Sequence, residues 1–228
     1  MRRLADHDEL KRAAADRALE QVEAGMLLGV GTGSTARHFI AGLARRAAEG
    51  LRVTAVATSL ESASLCREAG IPLLDDVDRP LDLAVDGADE IDPALNLVKG
   101  HGGALFREKL VAAAARRFVV VADDSKLVDR LGQTYLPVEV LPFLWKTTAG
   151  RVAGLGLDWE LRGGAGAPYR TDNGNLVLDL TLPGGLTDPD RTAAELKAVT
   201  GVVEHGLFLG LAATCIVAGP AGVRVLGR

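Results

Sequence analysis

Apolar residues in the first half of the chain fall into short, largely continuous runs: MLLGV (26–30), RVTAVAT (52–58), IPLL (71–74), LDLAV (81–85) and FVVVA (118–122). A strand that is apolar at every position is buried on both faces, the condition of a parallel sheet covered by helices. The stretches between the runs supply those helices: ARHFIAGLARRAAEG (36–50), ESASLCREAG (61–70) and a segment carrying Glu108 just before FVVVA. An earlier amphipathic helix is predicted over 7–24, where Leu10, Ala14, Ala18 and Val22 share one face, Asp6 and Glu9 have capping-box spacing, and Gly25 is the stop. Strands alternating with helices predict an α/β, doubly wound, Rossmann-like and mainly parallel sheet.

After Lys126 the rhythm changes. LPVEVLP (136–142) is a strand, WKTTAGRVAGLG (145–156) a helix and LDWELRG (157–163) a strand. An Asp172-Asn173-Gly174 turn precedes alternating Leu176, Leu178 and Leu180; a helix over 188–201 and the strand VVEHGLF (202–208) follow. This β-α-β-β-α-β order predicts a ferredoxin-like α+β domain. The tail returns to apolar strand character and is expected to rejoin the first sheet. That makes the second domain an insertion: 1–132 plus 205–228 form the Rossmann-like domain and 133–204 the inserted one.

Composition narrows the function. A hydrophobic content of 48% over 228 residues supports a globular core, and a net charge of −4 without any basic stripe argues against a nucleic-acid surface. Cys66 and Cys215 lack CxxC or histidine partner spacing, so they read as buried thiols, neither a disulfide framework nor a zinc site. The first residues are charged throughout and no run is long enough to span a bilayer, so a cytoplasmic protein without membrane contact is expected. Glycine, at 27 residues, exceeds its usual share of about 7% and gathers in loops after apolar runs, where backbone N–H groups can meet a small anion.

Two loops carry the candidate chemistry. Gly31-Thr32-Gly33-Ser34-Thr35 lies between strand and helix, which suits phosphate at a helix N-terminus. The same residues fit a relaxed dinucleotide fingerprint, although the nearest acid after the second strand, Glu61, comes late for a ribose contact; they also fit a purely structural turn. The second loop begins where LDLAV ends: Asp86-Gly87-Ala88-Asp89, then Glu90 and Asp92, then Lys99-Gly100-His101-Gly102-Gly103, then Glu108. Acids at 86–92 lack the ligand spacing of a calcium loop, so direct carboxylate chemistry is favoured over a metal. Read singly, Glu108 is a solvated helix residue and Lys126, in ADDSK, a surface lysine. His7, His38 and His205 show no partner spacing, and Trp145 and Trp159 read as packing.

Taken in order, GTGST, DGADEID, KGHGGAL with its following REK, and ADDSK resemble ribose-5-phosphate isomerase of type A, and the resemblance extends through TDNGN and GVVEHGLF to nearly the whole chain. It implies interconversion of ribose 5-phosphate and ribulose 5-phosphate through an enediolate, with no metal or cofactor. It also implies roles: Glu108 as the proton-transferring base, Asp86 in ring opening, Asp89 on the substrate hydroxyls and Lys99 as the cation beside the enediolate. Thr32, Gly33, Ser34, Thr35 and Lys126, with Lys11 as a further candidate, would hold the phosphate, and Gly87, Ala88, Gly100, His101 and Gly102 would line the sugar. A homodimer or homotetramer is expected. One departure stands out: the family loop often reads Lys-Gly-Gly-Gly-Ala, whereas here His101 and Gly103 replace a glycine and the alanine. A sugar-phosphate deaminase or lactonase, or a non-catalytic sugar-phosphate-binding domain, are the competing readings.

Overall fold

The computed structural model describes residues 7–227. The chain runs through α1 (His7–Leu19), β1 (Leu27–Val30), α2 (Ser34–Ala48), β2 (Thr54–Ala57), α3 (Leu60–Glu68) and β3 (Leu83–Asp86). Next come β4 (Glu90–Ile91), β5 (Leu97–Val98), α4 (Leu105–Ala114), β6 (Phe118–Asp123) and a 3-10 turn at Asp124–Lys126. Then follow β7 (Leu136–Val140), α5 (Trp145–Ala153), β8 (Asp158–Leu161), β9 (Leu176–Thr181), α6 (Pro189–Ala198), β10 (Val202–His205), β11 (Leu207–Phe208), β12 (Thr214–Gly219) and β13 (Gly222–Gly227).

The chain divides into two compact units. One holds the residues through Ala88, then Arg107–Lys126 and those from Gly210 on; the other holds Asp89–Phe106 and Leu127–Leu209. In the first, six strands are ordered β13-β12-β6-β3-β1-β2. Every pair is parallel except the β12–β13 hairpin, so the tail joins the sheet beside β6. Each residue of β1, β3 and β6 is buried, as unbroken apolar runs require. Phe39, Ile40 and Leu43 of α2 and Leu10, Ala14 and Ala18 of α1 pack on the same core as Leu28, Val85 and Val121. Each large side chain so buried contributes about 1.5–3 kcal/mol. Val22 joins them, yet α1 ends at Leu19, short of the expected 24; Gly25 has a positive φ of 84° in the turn beyond. The Asp6 half of the expected capping box lies outside the described residues. The expected strand at 71–74 is reduced to a single bridge between Leu73 and Ala55.

In the second unit the sheet order is β10-β7-β9-β8, all antiparallel. With β7, β8, β9 and β10 as its first to fourth strands, this is the split βαβ order, and the connections place α5 and α6 as the crossovers. Leu176, Leu178 and Leu180 are buried, with Trp145 and Trp159 packed edge to face against the same core. A small antiparallel sheet, β11-β5-β4, belongs to this unit; β11 is the end of the expected strand VVEHGLF, which breaks at Gly206, while β4 and β5 have no counterpart among the sequence expectations, since two-residue strands have no periodicity to read.

Candidate active site

In the first unit β1 and β3 are neighbours, and the chain leaves β1 toward β2 on one side and β3 toward β6 on the other, so the connections diverge between their carboxyl ends. Open α/β sheets bind ligands at such a switch point. Here it is formed by Gly31–Thr35 after β1 and by Asp86, the last residue of β3. The two are stitched together. The Thr32 N–H donates to Asp86 Oδ1 at 3.1 Å, the Gly87 N–H donates to the same oxygen at 2.7 Å, and the Gly31 N–H donates to the Val85 carbonyl at 2.9 Å. Gly31 is required because a Cβ there would land on the Asp86 carboxylate.

Behind this loop lies a layer of hydroxyls that the sequence reading passed over. Thr32 and Thr58 hydroxyls are 2.7 Å apart, the Ser62 hydroxyl donates to the Gly31 carbonyl at 2.6 Å, and Ser59 caps α3 by accepting from the Ser62 N–H. The signal was the run Thr58-Ser59 at the end of β2, a place where an acid would serve a ribose. Glu61, the acid weighed for that contact, instead pairs with Arg37. α2 starts at Ser34 with Gly33 as its cap, at φ 96°, and receives no side-chain cap hydrogen bond and no acid in its first turn. Its leading N–H groups and positive end therefore suit an anion.

Glu108 stands in the first turn of α4. With Val111 and Ala112 it occupies the buried face of that helix, and it is only 5% exposed, so it is not the solvated helix residue that its type alone suggests. Gly29 of β1 leaves room for Val111, which a Cβ would strike, and the Ala114 carbonyl accepts from the Leu81 N–H at 3.0 Å just before β3. The C-terminal end of α4 is thus fixed at the start of the strands. Its first turn, with Glu108, faces the end at which Asp86 lies.

Lys126 closes the 3-10 turn after β6 and is partly exposed. Asp123 at the end of that strand is buried beside His7 Nδ1, 3.4 Å away. Burial pushes its carboxyl up, but hydrogen bonds from the Ser125 hydroxyl and N–H, with the charges of His7 and Lys126, outweigh burial and hold it below the ordinary aspartate range. Lys11 lies one helical turn after His7, on the same face of α1.

The second unit holds the other candidates. The β4–β5 ladder pairs Glu90 with Val98 and Ile91 with Leu97, leaving Asp89 and Lys99 just beyond the same end of it. The Asp89 N–H donates to the Val98 carbonyl and the Lys99 N–H to the Gly206 carbonyl, both at 2.9 Å. Lys99 is 3% exposed, its ammonium 5.5 Å from the centre of the Phe208 ring. The glycine loop is drawn onto this unit by Arg162, whose guanidinium donates to the Gly100 and His101 carbonyls at 3.1 Å each and forms a two-pronged pair with Asp179. Burial works against the Arg162 charge, and the Asp179 hydrogen bond and charge more than restore it. Arg162 carried no sequence signal, because one arginine near a strand end looks like any solvated residue. Gly100 and Gly103 have φ of 105° and 80°, and a Cβ on Gly103 would meet the Tyr169 ring, so glycine at 103 in place of alanine follows from this packing.

Two acids of the cluster have structural work. Glu90, buried, accepts from the Gly132 N–H at 2.6 Å and from the Thr134 N–H and hydroxyl at 2.5 and 2.6 Å. Asp92 accepts from the Ala94 and Asn96 N–H groups at 2.9 and 2.8 Å, securing a turn in which Leu95 has φ 59°. Among the described residues no three His, Cys, Asp or Glu side chains gather as a metal cluster, both cysteines are buried thiols, and no helix is long and apolar enough to cross a membrane. The structure thus sets Asp86, Gly87, Ala88, Glu108, Lys126 and residues 31–35 in one unit, and Asp89, Lys99 and residues 100–102 in the other.

The family of ribose 5-phosphate isomerase A (phosphoriboisomerase A) matches residues 54–222. Ribose-5-phosphate isomerase A of Bradyrhizobium diazoefficiens is 49% identical, the match covering 97% of this chain and 96% of that protein. That of Roseiflexus castenholzii is 53% identical over 93% of both. Among solved structures, a D-ribose-5-phosphate isomerase in complex with phospho-erythronic acid superposes with a TM-score of 0.93 at 40% identity, over 98% of this chain and 100% of that one. The Methanocaldococcus jannaschii enzyme superposes with a TM-score of 0.92 at 36% identity and the same coverage. Resemblance over the full span, in sequence and in backbone alike, leads to one conclusion: the chain belongs to the ribose-5-phosphate isomerase A family.

Proposed function

We propose that the protein interconverts D-ribose 5-phosphate and D-ribulose 5-phosphate by proton transfer through an enediolate. The observation that carries this reading, within the family, is Glu108: a carboxylate on the buried face of a helix whose first turn looks toward Asp86. Asp86 assists opening of the sugar ring. Glu108 then takes the proton from C2 of the open aldose; the C2–H electron pair forms the C1=C2 bond as the C1 carbonyl becomes an oxyanion, which Lys99 stabilises. A proton passes from the C2 hydroxyl to the C1 oxygen, and protonation of C1 by Glu108, whose acid proton exchanges with solvent, leaves the carbonyl at C2. One such base supplies about 10²–10⁴ in rate, and the rest comes from fixed charge and from holding the sugar.

Thr32, Gly33, Ser34, Thr35 and Lys126 bind the phosphate, with Lys11 in support. Asp89 holds substrate hydroxyls, and Gly87, Ala88, Gly100, His101 and Gly102 line the sugar. That a relative's solved structure holds phospho-erythronic acid supports a phosphorylated sugar as ligand. The carboxylates and Lys99 supply the proton transfer and the charge that the reaction needs, so the reading includes no metal or cofactor, and no observation favours the deaminase, lactonase or binding-only readings. We further infer a cytoplasmic homodimer or homotetramer; exposed Leu141, Phe143 and Leu144 support assembly.

The test is Glu108→Gln, which keeps size and removes the basic lone pair. Turnover falls about 10²-fold or more with ligand affinity little changed, and label from heavy water no longer enters the transferred position. Near-normal turnover and exchange would reassign Glu108 to a structural role and move the search for the base to Asp86 and Asp89.

A further inference from the structure

His101, one of the two departures from the family loop, is fixed on all sides within its unit. Its ring stacks on that of Tyr135 with centroids 3.9 Å apart and planes 18° apart. Nε2 lies 3.0 Å from the Tyr135 carbonyl, which can only accept, so Nε2 carries a proton. The Thr134 hydroxyl, 3.4 Å from the same nitrogen, already donates to Glu90 at 2.6 Å and is likewise available only as an acceptor. The assignment therefore follows from the network: Nδ1 is a lone pair in the neutral ring and a second N–H in the cation. Nδ1 sits 3.6 Å from Asp89 Oδ1, with both side chains 22% exposed. The other oxygen, Oδ2, accepts from the His101 backbone N–H at 3.0 Å.

One residue thus addresses both oxygens of Asp89, the first through a fixed backbone donor and the second through a ring nitrogen that donates only when the imidazole is charged. A glycine at this position would offer the backbone N–H and nothing to Oδ1. We propose that His101 is a positioning residue for Asp89, releasing its Oδ1 when the ring is neutral and drawing it away from the substrate when the ring is charged. This rests on the reading that Asp89 binds substrate hydroxyls. Its charged and titratable neighbours are the carboxylates of Asp89 and, through Thr134, Glu90, and the guanidinium of Arg162, which sits on the His101 carbonyl and is itself paired with Asp179. The phenols of Tyr135, beneath the ring, and Tyr169, beside Gly102, stay neutral in acid, their titration pushed upward first by burial.

Two measurements on the full-length protein test the proposal. In the first, KM for ribose 5-phosphate is compared between about pH 8 and pH 5.5 for wild type, His101→Gln and His101→Phe, the last keeping the stack. The substrate phosphate titrates in the same range but does so equally for every variant, so the ratio of wild-type to variant KM is the readout. That ratio rises about two- to five-fold toward acid pH, the size expected of a partly exposed ion pair, while the kcat ratio stays flat. In the second, the imidazole of His101 is titrated by NMR, its signal identified by its loss in His101→Gln. The neutral ring is protonated on Nε2, and Asp89→Asn lowers the midpoint by about half a pH unit. A pH-independent KM ratio, or a midpoint unmoved by Asp89→Asn, overturns the proposal. If Asp89→Asn shifts the midpoint but leaves KM untouched at pH 8, the coupled pair is real and it is the substrate role of Asp89 that fails, taking the functional part of the proposal with it.

Discussion

Replacing Gly31 by alanine adds one methyl group to the loop after β1, and the structure says where it goes: into the carboxylate of Asp86. The backbone at 31 is not in the left-handed region, so the effect is purely one of space. The protein has two responses. It can move the loop off β3, an overpacking cost of about 1–3 kcal/mol. Or Asp86 can rotate, giving up its hydrogen bonds from Thr32 and Gly87 N–H groups, which as bonds to a charged acceptor contribute about 1.5–3 kcal/mol each. The first response costs less and sets the stability loss at about 1–3 kcal/mol, or roughly 2–12 °C in melting temperature for a chain of this size. Either way Asp86 and the Gly31–Thr35 loop shift relative to one another by about 1 Å, for which a loss near 10²-fold in kcat/KM is expected. The assay is a coupled spectrophotometric measurement from ribose 5-phosphate beside a thermal melt of the same preparation. A variant with wild-type melting temperature and kcat/KM within about three-fold would refute the argument that loop and carboxylate occupy one tightly shared space.

Changing Ser34 and Thr35 together to alanine weakens binding of the phosphorylated sugar far more than inhibition by unphosphorylated ribose; equal losses would show that α2 does not hold the phosphate. Arg162→Lys keeps the charge but cannot reach two carbonyls and Asp179 together, so KM and melting temperature both worsen, where an ordinary surface arginine would tolerate the change. Burial pushes the Cys66 thiol up to about 11, well above the ordinary thiol range, so the folded state holds its proton where the unfolded chain loses it. Its stabilising contribution is complete below about pH 9 and declines as pH rises from there toward 11; Cys66→Ala flattens that part of a stability-versus-pH curve, and a thiol reagent at about pH 8 leaves the native protein's Cys66 unmodified. Asp123 has the opposite sign: its lowered carboxyl stabilises the fold above the ordinary aspartate range and the contribution fades as pH falls through the native value, so Ser125→Ala shifts acid unfolding to higher pH.

Legibility in the sequence followed how locally each feature is encoded. GTGST could be read as a turn joining a strand to a helix N-terminus because strand, glycine turn and helix are contiguous. Asp86 could be read as a strand-end acid because LDLAV runs straight into it. The split βαβ order was likewise visible, since Leu176, Leu178 and Leu180 alternate as a half-buried strand must. Glu108 was ambiguous from sequence: that its helix buries that face depends on Gly29, nearly 80 residues earlier, making space for Val111. Arg162 was invisible because its partners, the carbonyls of Gly100 and His101, are backbone atoms about 60 residues away. Residues 71–74 look like a strand by composition, yet Pro72 and the short run leave only the Leu73 bridge.

The place of β12 in the sheet bears on how the protein is made. It lies beside β6, every residue of which is buried, yet some 90 residues separate Asp123 from Thr214. At synthesis rates of about 5–20 residues per second, β6 waits roughly 5–18 s on the ribosome for that neighbour. During the wait Phe118–Asp123 is a strand apolar through Ala122 with one side unpaired, the type of edge most prone to capture by another chain. Nascent chains of this enzyme are therefore at their most vulnerable after the second unit can already fold and before Thr214–Gly219 has emerged, and chaperone occupancy on translating ribosomes should peak in that interval.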